Sequence, residues 1–70
     1  MKYLIVFEKT ETGYSAYLPD LPGCVATGRT EEEVEKNIRE AVDLHIEGMI
    51  ADGQPLSSPE SFADYKEVTV

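Results

Sequence analysis

Two side chains in this sequence could act as nucleophile and base, Cys24 and His45, and each residue type occurs once. A thiol attacks as its thiolate, so Cys24 would need a cationic neighbour or an adjacent base. Nothing in the spacing brings His45 to it. His45 falls between Ala41 and Met49 in an apolar stripe of helical period, which reads as a partly buried histidine satisfied by a hydrogen bond. Cys24 opens a short apolar run, where a small buried residue at a strand start is the simpler reading. One cysteine and one histidine are too few donors for a zinc cluster, and no internal disulfide can form. No catalytic residue, cofactor or metal is expected.

The remaining candidates are carboxylates. Fourteen acids face six lysines and arginines, for a net charge of −8. Glu31, Glu32, Glu35, Glu40, Asp43 and Glu47 lie away from the apolar stripe of the predicted helix. They form either a solvated face or a docking surface for the Lys and Arg of a basic partner. Complementary charge would speed encounter and set orientation more than it would add affinity. Apolar anchors would then carry most of the energy, and Tyr17 is a candidate. Asp20, in a proline-rich turn, either caps local backbone groups or presents its charge to the partner. Direct nucleic-acid binding is not expected, because phosphate contacts need Lys and Arg to displace counterions.

The elements that must position these groups follow from the pattern of residue types. Lys2–Lys9 alternates as a strand, with Tyr3, Ile5 and Phe7 on one face and Leu4 and Val6 on the other. Apolar side chains on both faces predict a central strand, covered by a helix on one side and by a partner or second copy on the other. Thr10–Gly13 is a turn in which Gly13 is expected at positive φ. Tyr14–Leu18 is a second strand. Pro19 and Pro22 stop pairing, and Cys24–Thr27 makes a short third strand. Thr30 with Glu33 is a capping box that opens a helix from Glu31 to Asp52. Its stripe is Val34, Ile38, Ala41, Val42 and Met49, widened by Leu44 and Ile46. Gly53 and Pro55 end it. Tyr65–Val70 alternates again as a final strand. The expected class is α+β in the order β-β-β-α-β, with one long helix on a face of a three-stranded antiparallel sheet. A right-handed crossover would lay the last strand parallel to the first.

One run is more specific than its periodicity. Pro19, Leu21, Pro22, Gly23, Cys24, Ala26, Gly28 and Thr30 stand in a Pro-x-Leu-Pro-Gly-Cys-x-Ala-x-Gly-x-Thr pattern before an acidic helix. This run resembles the HicB-type antitoxin family, and the likeness extends over nearly the whole chain. The resemblance implies a partial ribonuclease-H-like fold in a single domain, 1–70. It also implies a partner, a small basic mRNA-cleaving toxin of the HicA type, neutralised by occlusion. Ribonuclease-H chemistry would need converging carboxylates for two metal ions. The middle of the first strand is Leu4-Ile5-Val6, so a non-enzymatic protein is expected. Many relatives continue into a DNA-binding domain, whereas residues 1–70 contain no recognition helix or basic arm. A stand-alone homo-oligomeric binding or scaffold module is the alternative function. A homodimer or homotetramer is expected under both. With neither a secretory signal pattern nor a membrane-length apolar run, the expected location is cytoplasmic.

Overall fold

The computed structural model describes residues Met1–Val70. Three short strands precede one long helix: β1 Val6–Lys9, β2 Tyr14–Tyr17, β3 Val25–Gly28 and α1 Glu31–Ala51. All pairings are antiparallel and the strand order is β1-β2-β3. β2, not β1, is therefore central, which corrects the expectation drawn from the two apolar faces of the first strand. β1 is regular only from Val6 because the proline turn after β2 removes its partner. The backbone of Met1–Ile5 makes no hydrogen bond to another backbone group.

The register Phe7↔Ala16↔Ala26 sets the two sheet faces. Ala16 belongs to the buried core with Leu18, Leu21, Cys24, Val34 and Ile38. Leu21 reaches that core because two tight turns fold the proline segment inward. The Leu21 amide donates to the Leu18 carbonyl, and the Cys24 amide to the Leu21 carbonyl. Pro22 and Gly23 take the central places of the second turn, and Gly23 has φ 87°, the pattern of a type II turn.

Gly13 is not at positive φ. A Cβ there would lie 2.3 Å from the Gly28 carbonyl oxygen, so its lack of a side chain serves close approach. Gly28 has the same role towards α1, where a Cβ would lie 2.5 Å from the Val34 nitrogen.

Thr30 caps α1 by accepting from the Glu33 amide at 3.1 Å. Glu33 reaches back one residue beyond the cap, accepting from the Arg29 amide at 3.3 Å. The helix ends one residue earlier than expected, with Asp52 as its cap. Gly53 follows at φ 71°. Its amide donates to the Ile50 carbonyl and that of Gln54 to Met49, the paired bonds of a Schellman motif.

At about 1.5 Å per residue α1 is roughly 32 Å long, against about 13 Å for a four-residue strand. It packs over β3 and β2, with β1 outside its footprint. Ala41, Val42, Ile46 and Met49 carry the packing into its second half, whereas Ile50 stays exposed because it shares the outward face with Asp43 and Glu47, and Leu44 because it lies on the flank.

The expected final strand does not form. Tyr65–Val70 is unpaired and almost fully exposed, Tyr65 at 99 %. An alternating pattern makes a segment competent to be a strand, but only a ladder partner makes it one. The preceding loop is held, since Ser61 donates to Asp20 through its amide at 3.0 Å and its hydroxyl at 3.2 Å. The Tyr3 hydroxyl also donates to the Ser57 carbonyl.

Candidate protein interface

The candidate residues fall on separate surfaces. Glu32, Glu40, Asp43 and Glu47, with Lys36 among them, are three or four residues apart and form one outward stripe on α1, opposite Val34 and Ile38. Glu31 and Glu35 lie on the flank turned towards β1. There they rim a hollow of about 280 Å³ floored by Phe7, Tyr14 and Val34, with Lys9 at its edge. Arg39 pairs with Glu35 at 3.2 Å, and both side chains are more than half exposed. An i,i+4 pair of this kind contributes about 0.2–0.5 kcal/mol. It is the chain's one ion pair. The outward carboxylates are left free to meet charges on another molecule.

Tyr17 lies on the other side of the molecule. It opposes Val6 on β1 and Val25 on β3, giving an apolar row across the sheet face that no helix covers. Val25 is 66 % exposed and Tyr17 38 %. Asp20 is on neither surface: its carboxylate clamps Ser61, tying the proline turn to the carboxy-terminal loop. Val25 and Phe7 were missed by sequence reasoning. The alternation in β3 carries the signal for Val25, but assigning Phe7 needed the knowledge that β1 is an edge. A third surface is a groove of about 530 Å³ between Met1–Ile5 and the second half of α1, lined by Tyr3, Ile5, Val42 and Ile46 among others.

The residues capable of covalent chemistry are not assembled. Cys24 is buried, 3 % exposed, in the core. Burial pushes its thiol above the ordinary value, which disfavours the thiolate. Cys24 should therefore resist alkylation by iodoacetamide at pH 8 in the folded protein and react fully in urea. Rapid native labelling would contradict its place in the core. The raised value also means that the thiol's contribution to stability is present at neutral pH and fades as pH rises through the thiol range. His45 is half-buried and has no side-chain hydrogen bond within the chain, contrary to the bond expected for it. Neither residue lines a surface hollow. No three His, Cys, Asp or Glu side chains converge as a metal site, and no helix is long and apolar enough to cross a membrane. What is assembled is a small scaffold with an acidic helix on one side and an uncovered sheet on the other.

Comparison with known proteins decides the family. Residues 3–69 match the family of HicB-like antitoxins of bacterial toxin–antitoxin systems. The chain belongs to that family. A chain of the structure described as the HicA3 and HicB3 toxin–antitoxin complex superposes with a TM-score of 0.71 at 40 % identity, over 84 % of this chain and 70 % of that one. An uncharacterised 14.9 kDa protein of Haemophilus phage HP1 is 40 % identical over 65 residues, 93 % of this chain and 49 % of the phage protein. A UPF0150 protein of Helicobacter pylori is 47 % identical over 47 residues, 67 % of this chain and 65 % of the relative. The chain thus spans about half the length of the phage protein and under two thirds of the Helicobacter one. The α+β arrangement of three antiparallel strands and one helix is that of the HicB-like structural neighbour.

Proposed function

We propose that this HicB-like chain is an antitoxin that binds and masks a small basic HicA-type RNA-cleaving toxin, by occlusion and without a covalent step. The observation that carries the reading is the outward stripe of unpaired carboxylates on α1, in a family member whose structural neighbour comes from a HicA3–HicB3 complex. The stripe steers a cationic surface into place, and the charges at its rim are screened within about 8 Å at physiological ionic strength. Apolar contacts then hold the complex. Under this reading the action takes place in the cytoplasm, where an mRNA-cleaving toxin works, with residues 1–70 as one unit that makes no nucleic-acid contact of its own.

The uncovered row Val6–Tyr17–Val25 favours a second reading, a homo-oligomeric module with no toxin partner. A titration of the protein with a purified HicA-type toxin separates the two, read by calorimetry and by RNA cleavage. Under the antitoxin reading, stoichiometric binding abolishes cleavage and weakens as salt is raised. The triple variant Glu40→Lys, Asp43→Lys, Glu47→Lys should weaken binding about tenfold or more, because like charges then face each other. Full affinity in that variant would remove the acidic stripe as the docking surface. No binding by the unaltered chain would leave the self-associating module.

A further inference from the structure

We propose that Tyr65–Val70 of one chain adds as an antiparallel strand to the free edge formed by Tyr3–Glu8 of a second copy, and receives that copy's tail in return. The edge is open on this chain. β1 is bonded to β2 on one side only, and the backbone ahead of it has no partner. Unpaired strand groups beside apolar side chains are a template for another strand. The tail has the pattern of a strand and lacks only the ladder: Val68 is 70 % exposed and Val70 lies wholly in solvent.

The side chains select one direction and register. In the antiparallel arrangement with Lys66 opposite Phe7, Val68 falls opposite Ile5 and Val70 opposite Tyr3. The Lys66 stem then lies along the Phe7 ring, and its ammonium reaches the hollow rimmed by Glu31 and Glu35. Val68 and Val70 close the mouth of the apolar groove beside Tyr3 and Ile5. A slip of two residues one way would set Lys66 opposite Lys9, and directly opposed like charges are destabilising; the opposite slip would set it opposite Ile5, in the groove that Arg39 borders and away from Glu31 and Glu35. Pairing would also extend β1 back over Tyr3–Ile5, where the residue pattern is that of a strand.

The same geometry excludes the chain's own tail from this antiparallel pairing. Asp20 holds Ser61 beside the proline turn. The pair Val6↔Tyr17 puts that turn at the amino-terminal end of β1. The four residue steps from Ser61 to Tyr65 span at most about 14 Å. Glu8 lies about 17 Å along the strand from the level of Tyr3, with β1 itself to be crossed. The tail can therefore meet its own β1 only in parallel. That direction carries Lys66 towards Arg39, which borders the groove, and Val70 towards the two glutamates. A second copy has no such tether, and reciprocal exchange closes a two-fold dimer.

Hydrogen exchange read by mass spectrometry at several protein concentrations tests this, together with sedimentation of the unaltered chain and of Val68→Pro. Val68 is exposed, so the proline leaves the fold intact, as unchanged helical circular dichroism will verify, while it removes one amide from the proposed ladder. The expected result is protection of Tyr65–Val70 and Tyr3–Glu8 that rises together with concentration. The variant's dimer dissociation constant should increase at least tenfold. Three outcomes would overturn the proposal: tail amides unprotected at every concentration, protection independent of concentration, or a variant that dimerises as tightly as the original. No toxin is involved, so the result stands apart from the antitoxin reading.

Discussion

Ile38→Ala should lower the stability of the chain by about 2–5 kcal/mol, the usual cost of truncating a fully buried aliphatic side chain. Ile38 is 0 % exposed and sits in the middle of a core of only six buried residues. A chain of this length has a total stability of roughly 4–10 kcal/mol. The loss therefore removes a large share of what there is, and urea unfolding followed by circular dichroism will read it as a shift of the midpoint to lower denaturant. The core is held from every side by different parts of the sequence. β2 supplies Ala16, the proline turn supplies Leu21 and Cys24, and α1 supplies Val34 and Ile38. A void at Ile38 cannot be closed by moving one element alone. A midpoint within error of the parent would show that α1 is not seated as described.

Gly28→Ala should destabilise by about 1–3 kcal/mol, the range for forcing extra atoms into a packed site. The added Cβ would lie 2.5 Å from the Val34 nitrogen and 2.8 Å from its Cα. Both are backbone atoms in the first turn of α1, so relief requires the helix start to move off the sheet. That movement would also strain the Asn37 side-chain amide bond to the Thr27 carbonyl, 2.8 Å long, which ties the same turns to β3. Gly48→Ala is the matched control. It lies in the same helix with nothing within 4 Å of its would-be Cβ, so alanine there should stabilise by about 1 kcal/mol through helix propensity. Denaturation shifts of opposite sign would separate close packing from propensity, whereas a gain at both sites would refute the close approach at Gly28.

Local rules carried most of the chain's architecture. The Thr30–Glu33 cap, the stripe through Val34 and Ile38 and the Gly53 stop are written within a few residues of where they act, and α1 begins and ends within one residue of the expected places. The Pro22-Gly23 turn is legible for the same reason. The candidate interface was half legible. That Glu32, Glu40, Asp43 and Glu47 share a face follows from helical period alone. That Tyr17 stands on the opposite side of the molecule, and that Asp20 spends its carboxylate on Ser61, does not.

The residues by themselves determined an acidic α+β chain, its first three strands and its one capped helix, because charge, alternation and capping are properties of neighbours in sequence. The tertiary structure alone decided which strand is central, why Gly13 and Gly28 must lack a side chain, and that Tyr65–Val70 finds no partner within its own chain. Those outcomes depend on contacts between segments far apart in sequence. β1 carries apolar residues on both faces whether it lies in the middle of a sheet or at its edge, and a strand pattern specifies a side-chain face without specifying the backbone that will pair with it.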